Sequence, residues 1–435
     1  MDRVGGVRIG ETHARSHAAG KPLVPMAGTL LKTPSLTVRS PAPVADATAV
    51  IEIAARTFGT YASFRAECAA WYVNHSHYDW DASVIGFLGD AMVTHWGVWG
   101  YRMRIGRAEV RCGGIGAVAT EAAHRGKGLM ARTAPHSLDR MRARGYHLSI
   151  LFGIDDFYHR FGYVPAWPES RWRVKLADLP ATLPRLRGLR RIPAAPTQAL
   201  VRLHNRWNAG LTGTAVRPTY LRSWSGMRKD VEAWCWGADR ERPEGHVVVQ
   251  ASKSRLVCAE ATGAPDAALS ALGALCRRKA LPELRFDTLP YRSALAARLR
   301  TLNSRHEQRY AESGAAMVRA VDLPGCLAAM TPELSARLAA SELAGYRGAL
   351  TLESPEETAT LRLDRGSVEV ARGRSAAAAR SAVRGGWAVA RLLLGSDAPL
   401  EVCDAGKLRL SGDAARLVPV LFPAQHPQLT LADRF

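Results

Sequence analysis

The sequence predicts an α/β protein with mixed sheets, in which two α/β units in tandem precede a third region of strands and helices. Short apolar strand patterns alternate with amphipathic helix patterns over residues 36–165, and the alternation resumes over residues 246–302. A stretch rich in Pro and Arg, residues 180–196, separates the two runs. A chain of 435 residues is also too long for one ordinary core, so several domains are expected.

The elements of the first unit follow from local patterns. Gly89 and Asp90 mark a turn between two strands, Gly106 centres a hairpin, and Gly145 ends the longest helix. The predicted strands are residues 36–39, 83–87, 91–99, 103–105, 109–111, 115–119 and 148–152. The predicted helices are residues 45–57, 129–144 and 156–160.

The same patterns continue beyond the interruption. The second unit has predicted strands at 246–250, 255–261 and 283–287, and predicted helices at 265–279 and 291–302. The third region has a strand near Met317, helices within 327–344, a strand hairpin over 359–371 and an apolar helix over 385–394. In the second unit no Gly-rich turn precedes the first helix, so this unit is expected to bind no cofactor.

These patterns divide the chain into five segments. Residues 1–35 show no periodicity and are predicted to be a disordered tail. Residues 36–180 form the first unit and residues 181–196 a Pro- and Arg-rich linker. Residues 197–314 form the second unit, and residues 315–435 the third region.

Composition excludes several classes of protein. Lys and Arg number 59 against 39 Asp and Glu, a net charge of +20, yet the arginines are spread along the chain, so no nucleic-acid partner is predicted. No apolar run approaches the roughly 18 residues that a membrane span needs. The seven cysteines stand singly, and His75 and His77 lack further ligands, so neither disulfides nor a metal site is predicted. These features favour a cytoplasmic protein.

One turn between a strand and a helix carries chemistry. It reads Arg125-Gly126-Lys127-Gly128-Leu129, and at such a turn consecutive backbone N–H groups and the helix dipole can hold an anion. The glycines remove side chains that would block a ligand, while Arg125 and Lys127 add positive charge. The turn is therefore predicted to bind a pyrophosphate, with an ordinary Gly-bearing turn as the alternative.

The spacing of this turn resembles the GNAT acetyltransferase superfamily, whose Arg/Gln-x-x-Gly-x-Gly/Ala turn binds the pyrophosphate of acetyl-CoA. Only Met130, which stands where the superfamily has a small residue, departs from the pattern. Phe157-Tyr158, followed by Gly162-Tyr163, resembles the tyrosine-bearing helix of the superfamily. The resemblance implies that acetyl-CoA is the co-substrate.

More narrowly, the whole chain resembles the bacterial enhanced intracellular survival (Eis) proteins. The match rests on the length, residues 113–120, the bulky Met130, residues 158–165 and the terminal Phe435. It implies two tandem GNAT-like domains, the second degenerate, a C-terminal α+β domain resembling sterol carrier proteins, and a homo-hexamer. Gly153 departs from the family, which often has Ser there, so a hydrogen bond near the cofactor is expected to be missing.

The resemblance also suggests a role for each site residue. Ala117, Val118 and Ala119 are expected to hold the pantetheine arm with their backbone, and residues 125–129 the pyrophosphate. The Val118 N–H is the candidate donor to the oxyanion. Tyr158 is the candidate general acid for the departing thiolate, with packing in the core as the alternative.

The base and the amine-binding groups are left open between alternatives. In the Eis family the free C-terminal carboxylate reaches the active site, which makes the carboxylate of Phe435 the candidate base. Glu121, at the end of the cofactor strand, is the rival. Asp155 and Asp156 are predicted to hold a cationic amine, or else to cap and charge the helix of Tyr158.

The sequence therefore predicts an acetyl-CoA-dependent N-acetyltransferase that acts on a primary amine of the polyamine, aminoglycoside or lysine type. Two other functions remain open. The first is acetylation of a protein partner met through the basic surface, and the second is a non-catalytic sensor that binds acyl-CoA or lipid.

Overall fold

Long antiparallel strands followed by a short parallel pair build the first part of the chain. The computed structural model describes residues 35–58, 77–193, 197–218, 231–239, 241–374 and 380–434. Most of the predicted disordered tail (residues 1–34) and the terminal Phe435 lie outside the described residues.

The first sheet contains the predicted strands of the first unit and two strands from later in the chain. Its members are β1 (Leu36–Arg39), β2 (Val84–Leu88), β3 (Ala91–Ile105), β4 (Ala108–Thr120), β5 (Leu148–Gly153), β6 (Val164–Pro165), β9 (Ala215–Val216) and β15 (Ala315–Ala320). They lie in the order β1-β2-β3-β4-β5-β15-β6, and β9 pairs with β3.

The strands β3 and β4 form one long hairpin, although the sequence predicts breaks within each. The break predicted after Trp99 does not occur, and at Gly100 the Tyr146 hydroxyl occupies the place that a Cβ would take. The Met141 side chain likewise occupies the place of a Cβ at Gly113 in β4. These glycines therefore allow a close approach of side chains rather than a turn.

The second and third sheets follow. The second is made of β7 (Glu169–Lys175), β8 (Arg190–Ile192), β10 (Val231–Trp236), β11 (Gly245–Ser252), β12 (Arg255–Thr262), β13 (Glu283–Phe286) and β14 (Ser304–Arg309). The third is made of β16 (Arg347–Glu353), β17 (Thr358–Asp364), β18 (Ser367–Arg372), β19 (Ala382–Arg384) and β20 (Arg409–Ser411). Their orders are β14-β7-β13-β12-β11-β10-β8 and β18-β17-β16-β19-β20.

The helices cover both faces of the first sheet. The described helices are α1 (Ala47–Phe58), α2 (Leu129–Ala143), α3 (Gln198–Trp207), α4 (Pro265–Arg278), α5 (Ala294–Leu299), α6 (Leu323–Ala339), α7 (Val389–Leu394), α8 (Pro399–Ala405) and α9 (Ala414–Leu421). One face packs on α2, where Met130 and Leu138 meet Trp96 of β3. The other face packs on α1 and α6. No helix in the described ranges is long and apolar enough to span a bilayer.

The sheets do not respect the predicted domain boundaries. β7, which the sequence assigns to the first unit, pairs with β13 and β14 in the second sheet. β15, assigned to the third region, lies between β5 and β6 in the first sheet. The predicted linker contributes β8 to the edge of the second sheet, so its described part belongs to that unit rather than to a solvated connector.

The third region shares its core with the first sheet. One continuous cluster joins Val110 and Ile150 of that sheet to Leu327 of α6 and to Leu350 of β16. Residues from Leu36 onward accordingly form one compact unit. The predicted division into domains and the likeness of the third region to sterol carrier proteins both stay predictions.

We expect residues 36–180 alone not to fold, because they lack β15 and α6, which bury apolar residues of β3, β4 and β5 that are less than a tenth exposed. Chemical denaturation of this fragment, followed by circular dichroism, should show no cooperative transition, whereas a chain of residues 36–435 should show one. Cooperative unfolding of the fragment would mean that the shared core is dispensable.

Candidate active site

The two parallel strands at the centre of the first sheet pair over only four residues. Residues 112–115 of β4 pair with residues 148–151 of β5, and β4 then continues to Thr120. β5 ends at Gly153, and within the described residues no strand replaces it beside the last part of β4. The strands therefore part, and the backbone groups of β4 along this opening are available to bond the amides of a ligand.

A β-bulge shapes β4 at the start of the opening. The register between β3 and β4 shifts between His95 and Gly97, so that Ala117 and Val118 of β4 together face a single residue of β3. Ala117 has a φ of 48°, a left-handed conformation that costs energy for a residue with a Cβ. Val118 packs against the cluster that contains Tyr158.

A buried histidine holds this bulge in place. His95 Nδ1 lies 2.7 Å from the carbonyl oxygen of Ala117, and His95 Nε2 lies 2.8 Å from the Tyr78 hydroxyl. Since a carbonyl can only accept, Nδ1 carries the proton and Nε2 accepts from the Tyr78 O–H. Burial lowers the pKa of His95 to about 4, so the ring is neutral at pH 7 and this arrangement persists.

Beyond β4 the chain makes the turn predicted to bind a pyrophosphate. Gly126 and Gly128 have φ values of 75° and 69°, and a Cβ at either position would meet no protein atom within 4 Å. α2 begins at the next residue, Leu129, with no side chain capping its first turn, so its N–H groups are left for a ligand or solvent. Arg125 Nε donates to the carbonyl oxygen of Thr120 at 3.1 Å, which ties the turn to the end of β4.

Tyr158 lies beyond the end of β5 on the face covered by α2. It begins a short 3-10 helix, Tyr158–Phe161, and its ring lies so close to Gly153 that a Cβ there would collide with it. The glycine at position 153, where the Eis family often has Ser, therefore leaves room for the Tyr158 ring. Burial raises the pKa of Tyr158 to about 12, and its hydroxyl has no hydrogen-bond partner among the described residues. The phenol is thus protonated at pH 7 and free to donate.

The third region supports the segment of Tyr158. Arg319 of β15 donates from Nη1 to the carbonyl oxygen of Phe161. Its Nη2 pairs with Glu356 at 2.6 Å, and its guanidinium lies 4.4 Å from the centre of the Trp387 ring. This buried arginine connects the helix of Tyr158 to the turn between β16 and β17.

The C-terminal segment reaches the opposite face of β5. The Arg434 guanidinium lies 4.0 Å from the centre of the Phe152 ring. Phe152 packs on the cluster of α6, whereas its neighbour Leu151 lies with Tyr158 in the cluster of α2. A ligand that passes through the opening therefore has Tyr158 on one face of the sheet and the C-terminal segment on the other.

A cavity of about 450 Å³ adjoins the C-terminal segment. Charged side chains of both signs line it: Glu169, Arg171, Asp287, Glu307, Arg309 and Arg434. Arg171 pairs with Asp287 at 3.2 Å and Arg309 with Glu169 at 3.0 Å, so much of this charge is already compensated.

Comparison with known proteins finds a family model that matches the first part of the chain. Residues 40–166 match the family model described as Acetyltransferase (GNAT) domain. This chain contains a GNAT acetyltransferase domain. As the sequence predicts, this fold supports the transfer of an acyl group from acetyl-CoA. The matched residues include the opening, the turn at Gly128 and Tyr158. No curated protein matches the sequence.

Three solved structures share the fold over nearly the whole chain. A GCN5-related N-acetyltransferase from Kribbella flavida has a TM-score of 0.67 at 18% identity, covering 93% of this chain and 99% of its own. A second, from Anabaena variabilis, has a TM-score of 0.70 at 16% identity, with 92% and 100% covered. Eis1 from Mycobacterium abscessus has a TM-score of 0.66 at 16% identity, with 92% and 100% covered. At these identities the likeness is one of fold.

The GNAT domain brings most of the predicted cofactor residues together. Ala117, Val118 and Ala119 lie along the opening, and residues 125–129 continue from the end of β4 to the start of α2. Tyr158 lies beyond the other strand of the opening. Their roles in binding and catalysis stay predictions.

Other predicted residues are engaged elsewhere. The backbone N–H of Asp156 donates to the Ser313 hydroxyl at 3.0 Å, and both Asp155 and Asp156 are exposed. No side chain caps the helix of Tyr158, and the alternative that these acids charge its N-terminus stays a prediction. Glu121 pairs with Arg56 of α1 at 2.6 Å. Phe435 lies outside the described residues.

Sequence reasoning missed the residues that support the site. A histidine within an apolar strand was the available signal for His95, but its bond to Ala117 depends on the pairing of β3 with β4. Arg319 gave no signal, because β15 joins the first sheet from a distant part of the chain. Within the described part of the chain, His, Cys, Asp and Glu side chains form no group of three that could hold a metal ion.

We expect Gly128→Glu to abolish CoA binding, because the side chain would fill the space in front of α2 and bring negative charge to a pyrophosphate. Gly89→Glu is the matched control, since Gly89 has a φ of 59°, equally open surroundings and a place outside the site. Calorimetry should show CoA binding in the control only. Binding in a folded Gly128→Glu protein would remove the turn from the site.

We expect the free energy of unfolding to fall by about 2 kcal/mol between pH 7 and pH 5 through His95 alone. The unfolded histidine takes up a proton at its ordinary pKa near 6.5, whereas the buried ring, with a pKa of about 4, does not. His95→Asn keeps a donor for Ala117 but does not titrate. Urea titrations at both pH values should therefore show a smaller loss in the variant, and an equal loss would assign the dependence to other groups.

Proposed function

We propose that the protein transfers the acetyl group of acetyl-CoA to a primary amine of the polyamine, aminoglycoside or lysine type by direct attack on the thioester. The observation that carries the proposal is the arrangement of three features of the GNAT domain. The Gly-rich turn at 125–129 follows the opening between strands, and a protonated tyrosine, whose hydroxyl has no partner among the described residues, lies at the end of that opening.

Acetyl-CoA supplies the thioester. The Val118 N–H is proposed to donate to the thioester carbonyl oxygen, where negative charge develops as the amine attacks; a donor already aimed at that oxygen costs little reorganisation. The bulge that carries this N–H is held by His95 through the Ala117 carbonyl. As the C–N bond forms and the C–S bond breaks, Tyr158 gives its proton to the thiolate sulfur.

The proton of the attacking amine needs an acceptor on the other face of the sheet. We place the carboxylate of Phe435 in this role, because Arg434 already lies against Phe152 of β5. The rival base, Glu121, carries an arginine on its carboxylate and lies at the opposite end of β4 from the pairing with β5.

The acceptor amine is expected to enter on the side of the C-terminal segment. The cavity beside Arg434 has three carboxylates and three arginines among its described lining residues. This mixture lowers the repulsion that a cationic amine meets on a protein of net charge +20. Asp155 and Asp156 are exposed near the same strand and stay candidates for contact with the amine.

The alternatives differ in what they require of the site. A non-catalytic sensor of acyl-CoA or lipid would need no proton donor beside the thioester, so a protonated Tyr158 with no hydrogen-bond partner in the described part of the chain favours the enzyme. Acetylation of a protein partner uses the same chemistry, so only the identity of the acceptor distinguishes it from the proposed function. A homo-hexamer and a cytoplasmic location are part of the same proposal, and light scattering at micromolar concentration tests the first.

We expect Tyr158→Phe to lower kcat by roughly 10²-fold or more while leaving the KM for acetyl-CoA unchanged, as for the loss of a general acid. The measurement is acetyl transfer to a panel of polyamines, aminoglycosides and lysine peptides. Tyr163→Phe is the matched control, because this buried hydroxyl bonds Ser149 at 2.6 Å, and Ser149 lies in the part of β5 that is paired with β4. The panel also tests the proposal itself, since no transfer to any amine by the wild-type protein would contradict it.

A reduction in kcat by both tyrosine variants would point to packing rather than proton transfer. An unchanged kcat in Tyr158→Phe would require another proton source for the thiolate.

A further inference from the structure

The second unit repeats the strand arrangement that makes the opening in the GNAT domain. β11 pairs antiparallel with β12, and β12 pairs in parallel with β13 over only four residues, 255–258 with 283–286. The register between β11 and β12 shifts just after this pairing and leaves Ala259 as an extra residue. β12 then continues to Thr262 and is followed by α4, as β4 is followed by α2. The second unit therefore has its own opening between parting strands.

This second opening lacks the means to hold a pyrophosphate. Only Gly263 and Ala264 separate β12 from α4. Pro265 at the first position of the helix has no N–H, and Asp266 puts a carboxylate into the first turn. A CoA molecule would thus meet negative charge where the GNAT domain offers Arg125 and Lys127.

The C-terminal segment of the same chain lies at this opening. The Thr288 hydroxyl, just beyond β13, donates to the carbonyl oxygen of Ala259 at 3.4 Å and accepts from the backbone N–H of Leu431 at 3.0 Å. A small cavity there is lined by residues 258–262 of β12, by Gly263, by residues 286 and 288–290, and by Thr430. The segment of residues 428–434, called the tail below, thus contacts both strands where they part.

A buried arginine fastens the tail. Arg217 Nε and Nη2 donate to the carboxylate of Asp433 at 2.7 and 3.1 Å. Arg217 Nη1 and Nη2 also donate to the two oxygens of Glu260, each at 2.7 Å. Glu260 is the residue after the bulge, and all three side chains are less than 5% exposed. Arg217 therefore holds the tail to β12 through two bidentate pairs.

Two histidines complete this cluster on the side of Glu260. His204 Nδ1 lies 2.9 Å and His246 Nε2 lies 3.3 Å from the Glu260 carboxylate. Burial alone would raise the pKa of Glu260, but Arg217 and the histidines hold it well below its ordinary value. Breaking a buried charge pair leaves an uncompensated charge, so this cluster resists displacement of the tail.

We propose that the second unit has become the binding site for the tail of its own chain, and that Arg217 is a positioning residue for the reaction. By fixing Asp433, it holds Arg434 on Phe152 of β5, and the next residue in the chain is Phe435, whose carboxylate is the proposed base. This inference rests on the proposed function, in which that carboxylate takes the proton of the amine.

The test is Asp433→Asn in the full chain. It removes the negative charge to which Arg217 is bonded in the tail but leaves Arg217 paired with Glu260. Carboxypeptidase digestion followed by mass spectrometry reports whether the tail is docked. We expect the two terminal residues to be released at least about tenfold faster than from the wild type, since the open fraction of the tail controls cleavage. We also expect kcat to fall at least about tenfold with the KM for acetyl-CoA within about twofold.

Asp397→Asn is the matched control, because Asp397 is a largely buried aspartate paired with Arg391 at 2.9 Å in the third region. It should leave both readouts at wild-type values. If Asp433→Asn does not fold, Thr288→Val serves instead, since it removes the acceptor of the Leu431 N–H without leaving a buried charge. Thermal unfolding checks that each variant is native.

The outcomes separate the inference from the proposed function. If the tail stays docked in Asp433→Asn, the proposal that the second unit binds the tail through Arg217 is wrong. A tail that is released without loss of kcat overturns the positioning role. Two residues added after Phe435 displace the carboxylate without touching Arg217, so full activity of that extended chain would overturn the proposed base, even if Asp433→Asn releases the tail.

Discussion

The four-residue pairing of β4 with β5 is the constraint on which the rest of the structure depends. Because these parallel strands part after Ile115 and Leu151, the last part of β4 loses the neighbour that would satisfy its backbone. Buried backbone groups without partners are costly, and the protein meets this cost in two ways. His95 satisfies the carbonyl of Ala117, and the remaining groups of β4 face an opening that a ligand can fill.

The same constraint occurs in the second unit and is met differently. There the strands also part after four residues, but the chain fills the opening with its own tail, through Thr288 and the cluster of Arg217, Glu260 and Asp433. The first opening is followed by the Gly-rich turn, whereas the second is followed only by Gly263 and Ala264 and is contacted by the tail. In the proposed scheme, the second unit contributes to the reaction through the position of the tail.

Arginines explain how the distant parts of the chain converge on the site. Arg217 fastens the tail, and Arg319 ties the helix of Tyr158 to Glu356. Both are buried, so part of the positive charge of this +20 protein lies in its interior, where it binds buried partners. A guanidinium suits this purpose because its fork of donors bonds two partners at fixed angles and stays charged when buried.

The sequence by itself determined the local elements of the site. The glycines of the turn at 125–129, the start of α2 and the tyrosine after β5 depend on neighbours within a few residues, and each was predicted close to where it lies. Tertiary structure alone decided the rest. The strand β15 joins the first sheet and β7 the second, the bulge of Ala117 needs the register of β3, and Asp433 meets Arg217 across 216 residues. Such contacts depend on which buried surfaces and unpaired backbone groups come together, and no local pattern encodes that choice.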